Sequence, residues 1–409
     1  MKTSTSKNNI VLLFSTRIIR LFAYGFISVI LALYLAEIGL NEYQIGLLLS
    51  LTLAGDVAVS LWITTVADRI GRKRMLILGA ALMVSAGAVF IFTKNPIILT
   101  IAAIIGVISP SGNEIGPFLS IEQAALSQLL PNEQRTHIFG WYNLAGSFAT
   151  ASGALSSGWM AQLLQKYGLT PEDAFRVILS GYAMCGILLM LMFIGLSPAV
   201  ETDTIPTIRY NMGLHRSKNV VIKLSALFSL DAFAGGFIVQ SMMAYWFYVR
   251  FGVDTGILGS IFFGANILAG ISALLAARIA KHIGLINTMV FTHIPSNILL
   301  CMVPLMPNLI SAITVLMLRF SISQMDVPTR QSYTMAVVAP DERTAASGIT
   351  NIARSVGAAL SPALSGFFLA HPALISAPFF LAGGLKIIYD LCLYRSFKTV
   401  KPPEEDRPQ

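Results

Sequence analysis

Long runs of apolar residues, broken only by short polar stretches, dominate the chain. Each run has the length of a membrane-crossing helix, which needs about 20 apolar residues. Breaks at Gly, Pro and charged clusters separate twelve predicted spans: 10–36, 43–66, 74–93, 97–129, 137–164, 175–198, 219–248, 254–277, 285–306, 309–338, 344–370 and 373–395. The fourth is too long for one straight span, and its segment Ser109-Pro110-Ser111-Gly112 predicts a kink or a local unwinding.

The composition is that of an all-α polytopic membrane protein. The 409 residues are 55% hydrophobic and only 12% charged, whereas a soluble protein is about 25% charged. The absence of any long aqueous stretch excludes a soluble enzyme with one anchor. The net charge of +8 arises mainly in short loops, so no nucleic-acid binding is expected. The three cysteines lie within apolar runs without metal-ligand spacing, so neither a metal nor a cofactor is expected.

The distribution of Lys and Arg predicts the orientation, because positively charged loops stay cytoplasmic. With the N-terminus inside, only four basic residues fall on the outer side: Lys94, Lys166, Arg176 and Arg250. Both termini are therefore expected in the cytoplasm. Short loops and tails favour a multi-pass protein of a bacterial cytoplasmic membrane.

The second half of the chain repeats features of the first half at a constant displacement of 208 residues. The matching pairs are Gln123/Gln331, Arg135/Arg343, Thr136/Thr344, Gly140/Gly348, Asn143/Asn351, Ala145/Ala353, Ser147/Ser355 and Gly158/Gly366. Such a repeat predicts two similar six-helix bundles with a cavity between them. The bundles are expected over 1–198 and 219–396, with a cytoplasmic linker over 199–218 and a disordered tail over 397–409.

The loop after the second span has the sequence Ala67-Asp68-Arg69-Ile70-Gly71-Arg72-Lys73-Arg74. Gly71 permits a tight turn between two helices. Asp68 is suited to lie against the positive N-terminal end of another helix.

This loop resembles the signature loop of the Major Facilitator Superfamily, Gly-x-Leu-x-Asp-Arg-x-Gly-Arg-Lys, with Thr64 and Val66 in place of the first Gly and the Leu. Span count, repeat and termini extend the resemblance over nearly the whole chain. The resemblance implies a twelve-helix transporter. It also implies a gate in which the loop, through Asp68, Arg69, Gly71 and Arg72, holds the cytoplasmic side closed against the eleventh helix.

Two motifs typical of the family's proton-coupled drug exporters are missing. The fourth span has Asn113-Glu114 and Glu122-Gln123 but no Arg-x-x-x-Gly, and the fifth has no Gly-Pro-x-x-Gly-Gly. Their absence weakens the interpretation as a drug antiporter.

Ionisable residues inside the predicted spans are the candidate functional groups, because each is costly at mid-bilayer unless it is paired or hydrated. They are Arg17, Arg20, Asp56, Glu114, Glu122, Asp231, Arg319, Asp326, Arg330 and Arg354. In the tenth span, Arg319, Asp326 and Arg330 are expected on one face of a continuous helix, with Asp326 and Arg330 as a structural or gating pair. The alternative is that such charges only lock helices together.

Two chemical roles follow for these residues. Arg keeps its charge and offers a fork for carboxylate or phosphate, which predicts a polar or anionic substrate. The predicted substrate-binding residues are Arg17, Arg20, Arg319, Arg354, Asn351 and Gln240. Burial raises the pKa of a carboxyl group, which suits a proton carrier, and the candidates are Asp56, Glu114, Asp231 and Glu122. His293 can titrate too, but beside Pro295 a hydrogen-bonded helix element is the favoured interpretation.

The sequence therefore predicts a secondary transporter of a small polar or anionic organic solute, coupled to protons and working by alternating access. It contains no nucleotide-binding Gly-x-x-x-x-Gly-Lys-[Ser/Thr], so a gradient must supply the energy. The alternatives are a proton antiporter for amphipathic drugs, favoured by 16 Met and 24 Phe, and a lipid-handling or intramembrane enzyme. No enzymatic activity is expected. The expected partners are the solute, a proton and the lipid bilayer, and a monomer suffices.

Overall fold

The computed structural model describes residues 2–114, 116–130, 132–201, 216–339 and 342–400. All regular elements in these ranges are helices, and the ranges contain no β-strand. The predicted all-α class is thus confirmed. Most of the predicted linker over 199–218 lies outside the described residues, as does the predicted tail from 401 onward.

Sixteen α-helices account for most of the described chain. In order they are α1 (Lys2–Ser28), α2 (Leu31–Glu37), α3 (Glu42–Ile70), α4 (Arg72–Phe92), α5 (Pro96–Ile105), α6 (Phe118–Leu129), α7 (Asn132–Lys166), α8 (Pro171–Ile194), α9 (Lys218–Gly236), α10 (Gln240–Phe251), α11 (Thr255–Ile283), α12 (Leu285–Met302), α13 (Leu309–Phe320), α14 (Asp326–Val337), α15 (Arg343–Leu369) and α16 (Ala377–Phe397).

Nine helical segments of the described chain are long and apolar enough to cross a bilayer. Two shorter apolar helices, α5 and α13, lie in the predicted fourth and tenth spans. These segments support a multi-pass membrane protein. The count of twelve spans and the cytoplasmic termini stay predictions.

Four predicted spans consist of two helices each, because the chain leaves the helix after Ser28, across 106–117, after Gly236 and across 321–325. The unwinding predicted in the fourth span is confirmed. Gly112 and Gly116 have φ of 70° and 80° in this segment, a left-handed conformation that glycine adopts without strain.

The prediction of one continuous helix through the tenth span is wrong. Arg319 lies in the last turn of α13, whereas Asp326 begins α14 after the turns at 321–325. The Ser321 hydroxyl donates to the Leu318 carbonyl at 2.7 Å, and such local bonds compete with helix propagation. The three charges of this span therefore do not share the face of one straight helix.

The chain divides into two compact units. The first unit comprises Met1–Thr207 and Gln240–Phe263, and the second comprises Ile208–Val239 and Gly264–Gln409. Helix α10 thus belongs to the first unit, and α11 is divided between the two.

Corresponding helix pairs pack closely in the two units. In the first unit, α1 crosses α7 where Gly25 meets the backbone of Thr150. In the second unit, α9 crosses α15 where Gly357 meets the backbone of Ser229. Helices α9 and α15 follow α1 and α7 by the displacement of 208 residues found in the sequence. A side chain at either glycine would overlap the facing backbone, so both crossings depend on the missing Cβ.

Candidate functional site

Each unit buries one cluster of charged side chains. The first-unit cluster consists of Arg17, Arg20, Glu114 and Glu122. The second-unit cluster consists of Asp231, Asp326, Arg330, Arg354 and Lys386. Isolated charges in an apolar interior are expensive, so these groups are expected to be paired.

Arg20 and Glu122 form the fully buried centre of the first-unit cluster. Arg20 donates from Nη1 and Nη2 to the two carboxylate oxygens of Glu122 at 2.7 and 2.6 Å. Thr16 donates to the same carboxylate at 2.9 Å, and the Tyr142 hydroxyl donates to it as well. This bidentate geometry with two further donors satisfies the carboxylate without any ligand.

Glu114 completes the pairing in the first unit. It accepts from Arg17 Nη1 at 2.7 Å and from Arg20 Nε at 2.8 Å. Arg17 also donates to the Tyr142 carbonyl at 2.8 Å and to the Asn143 side chain at 3.2 Å. The first-unit cluster contains two cations and two anions, so its charges balance.

The interruption between α5 and α6 brings Glu114 to these arginines. Glu114 lies in the unwound segment over 106–117, not on a helix. Thr150 on α7 donates to the carbonyl of Gly112 at 3.3 Å and ties this segment to α7. The turn at Gly112 thus lets a carboxylate from the fourth span reach α1.

Asp231 is the centre of the second-unit cluster. It accepts from Lys386 at 2.5 Å, from Arg354 at 3.0 Å and from Arg330 at 3.1 Å. Arg330 also donates to Asp326 at 2.9 Å, which is the pair predicted from their spacing. Two carboxylates face three cations, so this cluster carries one surplus positive charge.

Sequence reasoning overlooked Lys386 and Asp390, which both lie on α16. Lys386 binds Asp231, and Asp390 contacts His293 at 2.8 Å. They are four residues apart in an apolar run. Both are ionisable residues inside a predicted span, so the criterion that identified the other candidate residues applies to them as well.

Arg319 is a buried cation without an anionic partner among the described residues. Only 8% of its surface is exposed, and its Nε has no hydrogen-bond partner. The guanidinium lies 4.8 Å from the ring centroid of Phe320, its neighbour in the chain. Its charge is therefore not compensated by any ion pair within the part of the chain that the structure describes.

Asp56 differs from the other predicted proton carriers. Its carboxylate accepts from the Ser60 hydroxyl at 3.2 Å, and the backbone of Gly116 also hydrogen-bonds to it. It forms no ion pair with a basic side chain of the described residues. Glu114, Glu122 and Asp231 all have such partners.

The predicted gating loop forms a compact turn in the first unit. Gly71 has a φ of 116° between α3 and α4. Arg72 donates to Asp68 at 2.7 Å and to Gln128 at 2.9 Å, while Arg69 is exposed. Glu201 accepts from the backbone N–H groups of Arg72 and Lys73 at 2.6 and 3.2 Å. An anion at a helix N-terminus is favourable, so Glu201 anchors the start of α4. The gating role of the loop stays a prediction.

The last two predicted substrate residues are not members of either cluster. Gln240 begins α10 and donates to the Ser28 hydroxyl at 2.7 Å. Asn351 is exposed on α15. The structure therefore brings together Arg17, Arg20, Glu114 and Glu122 in one unit, and Asp231, Asp326, Arg330 and Arg354 in the other.

Residues 13–362 match the family model described as Major Facilitator Superfamily. An uncharacterized membrane protein of Saccharomyces cerevisiae is 31% identical over 432 residues, covering 98% of this chain and 96% of that protein. The expected bacterial origin gains no support from this yeast relative.

Solved structures share the fold. The nucleoside transporter NupG superposes with a TM-score of 0.74 at 14% identity, covering 96% of this chain and 99% of that one. A D-xylose–proton symporter superposes with a TM-score of 0.71 at 14% identity, covering 98% and 99%. At such identities the likeness concerns the fold alone. Together with the family match, it indicates a transporter and not an enzyme.

Proposed function

The chain belongs to the Major Facilitator Superfamily, and from this premise we propose that it is a secondary transporter of a small organic anion. The observation that carries the proposal is Arg319, a buried guanidinium that forms no ion pair with a carboxylate of the described residues. A charge in this environment is costly unless a counter-ion approaches it. A bound anion supplies that counter-ion, and the fork of Arg suits carboxylate, sulfonate or phosphate groups.

The second-unit cluster supports the same substrate class. Three cations share Asp231. Arg330 also pairs with Asp326, whereas Arg354 and Lys386 pair with Asp231 alone among the described residues. The side chain of Arg354 is 28% exposed, the most accessible of the three. We therefore assign Arg319 and Arg354 to substrate binding.

The first-unit cluster is assigned a structural role. All three donor nitrogens of Arg20 point at carboxylates, and Arg17 is engaged by Glu114, Asn143 and the Tyr142 carbonyl. Few donors remain for a solute. Arg17 and Arg20 then lock α1 to the unwound fourth span and to α6.

Proton coupling is the second part of the proposal, with Asp56 as the carrier in the first unit. A carboxylate that is tied to Arg must break an ion pair before it can bind a proton, which applies to Glu114, Glu122 and Asp231. Asp56 has only hydrogen-bond partners of no net charge. It can therefore exchange a proton without disrupting a salt bridge.

The proposed cycle is alternating access by a monomer in the bilayer, with the loop at Gly71 as the cytoplasmic gate. Asp68 pairs with Arg72 inside the first unit. Opening the gate would have to rearrange this partly exposed pair, which has a small energetic cost.

A thermal-unfolding screen of the purified protein in detergent tests the substrate class. The ligands are organic sulfonates, carboxylates and phosphates, lipophilic cations and neutral metabolites, all at matched ionic strength. A ligand that binds the folded state raises the melting temperature. We expect stabilisation by one or more anions in the wild type, no stabilisation in Arg319→Gln, and wild-type behaviour in Arg278→Gln, which removes an exposed arginine of α11.

Stabilisation by lipophilic cations alone would contradict the proposal and favour drug export. Equal stabilisation of Arg319→Gln and the wild type by anions would leave the substrate anionic but remove Arg319 from the site.

A further inference from the structure

The second unit contains a buried histidine–carboxylate pair beside the charge cluster. Nδ1 of His293 on α12 lies 2.8 Å from Oδ1 of Asp390 on α16, and both residues are buried. Asn297, one turn after His293, donates to the other oxygen of Asp390 at 3.1 Å. Both contacts suit an ionised Asp390 that accepts from Nδ1–H of a neutral His293. The lone pair at Nε2 then remains able to bind a proton.

Lys386 connects this pair to the proposed anion site. It lies one helical turn before Asp390 on α16, and its ammonium group is 2.5 Å from Asp231. The charges of His293 and Asp390 act electrostatically on the same neighbourhood as those of Asp231 and Lys386. A change of charge at His293 or Asp390 therefore changes the electrostatic potential at Asp231 and Lys386, and the reverse is also true.

The groups that face the pair can be counted by element. Asp231 on α9 and Lys386 on α16 act directly on the pair, and Arg330 on α14 and Arg354 on α15 share Asp231 with Lys386. Tyr389 lies edge-on to the His293 ring, with centroids 6.1 Å apart. With His293 neutral, the carboxylates of Asp231 and Asp390 face these three cations.

We propose that His293 and Asp390 form a proton-binding site that takes up a proton when an anion binds at the neighbouring cations. This inference rests on the proposed anion site. A bound anion makes the local potential more negative, and the added proton at Nε2 restores the balance. His293 then forms a charged hydrogen bond with Asp390.

Thermodynamic linkage between anion binding and proton binding determines how pH must change the anion affinity. If anion binding promotes proton binding, then acidification must strengthen anion binding by the same factor. Typical coupling free energies correspond to a factor of about five or more.

The test measures anion binding by thermal unfolding at about pH 6 and at about pH 8, on either side of neutral pH. The probes are benzenesulfonate and sulfate, because neither changes its charge over this range. We expect wild-type protein to bind at least one probe about fivefold more tightly at the lower pH. His293→Gln should bind it with equal affinity at both. His371→Gln, which removes an exposed histidine, should behave like the wild type.

Asp390→Asn is the second variant in case His293→Gln does not fold. It preserves the size of the side chain but removes the counter-charge of His293, so the ratio of the affinities at the two pH values should fall toward one. An unchanged pH dependence in His293→Gln or in folded Asp390→Asn overturns the coupling alone, because the anion still binds. Absence of binding by both probes at both pH values contradicts the proposed function as well as the coupling.

Discussion

Helices α6 and α14 occupy corresponding places in the two halves but carry opposite charges. Glu122 on α6 and Arg330 on α14 are 208 residues apart, the displacement of the internal repeat. Glu122 meets Arg20 from α1, and Arg330 meets Asp231 from α9, so the polarity of the helix contact is reversed. Both arrangements bury an ion pair between corresponding helices.

The two clusters differ in the charge that their ion pairs leave uncompensated. In the first-unit cluster every charge has a partner, and Glu122 is satisfied by Arg20, Thr16 and Tyr142. In the second unit three cations compete for Asp231, and Arg319 forms no ion pair with any of the described residues. A balanced cluster can only hold helices together, whereas a cluster with surplus charge also attracts a ligand. We therefore propose that the repeat supplies a structural lock in one half and an anion site in the other.

The largest effect is expected from opening the lock. Arg20→Leu leaves Glu122 buried without its main partner, which should reduce the free energy of unfolding by about 3–5 kcal/mol. The double variant Arg20→Leu/Glu122→Leu removes both charges and should recover more than half of that loss. Thermal unfolding in detergent measures both values. A single variant as stable as the wild type would mean that the pair has no locking role.

The next largest effect is a difference between the two charge clusters in how added sulfate changes the stability of a variant that lacks a carboxylate. Asp231→Asn deprives three cations of their shared carboxylate and should destabilise the protein by about 2 kcal/mol. Added sulfate should restore part of this stability, because it takes the place of the lost charge. Glu122→Gln, the matched change in the first unit, should gain nothing from sulfate. Equal rescue of both variants would remove the distinction between the clusters.

Asp56→Asn should change stability by less than about 1 kcal/mol, because no ion pair is broken. Uptake driven by a pH gradient into proteoliposomes should nevertheless be lost, while exchange of the same solute without a gradient continues. A variant that still concentrates solute in response to the pH gradient would exclude Asp56 as the carrier.

Asp68→Asn should have the smallest effect on stability, about 0.5 kcal/mol or less, because the pair with Arg72 is partly exposed. Arg72 keeps its bonds to Gln128 and to the carbonyl of Val200. The transport rate should change more than the stability if the loop acts as a gate. A rate equal to that of the wild type would argue against this role.

The sequence identified most charged groups of both clusters but not their partners. Spacing within one helix predicted the pair Asp326–Arg330, since four residues make one turn. Arg20 and Glu122 are 102 positions apart, and no periodicity indicates which distant helices meet. The reversed polarity of Glu122 and Arg330 was visible in the repeat, but its meaning required the contacts.

Helix interruptions account for the other differences between the predicted spans and the helices of the structure. The unusual length of the fourth span and its Ser-Pro-Ser-Gly segment predicted the unwinding that carries Glu114. Residues 321–325 contain no Gly or Pro, and the one nearby signal is Pro328, which cannot donate to the Gln324 carbonyl as a continuous helix requires. Arg319 therefore could not be placed relative to Asp326 from spacing alone.

The central claim is that Arg319, the buried second-unit cation without an ion pair among the described residues, binds an anion and that the paired cations of the first-unit cluster do not. It is tested most directly by the binding constant of a stabilising anion for Arg319→Gln and Arg17→Gln, measured by calorimetry on folded protein. Loss of a charge-assisted contact of about 2 kcal/mol corresponds to about 30-fold weaker binding. The account predicts this loss for Arg319→Gln and a change of less than about twofold for Arg17→Gln. Equal losses in both variants, or a loss confined to Arg17→Gln, would contradict it.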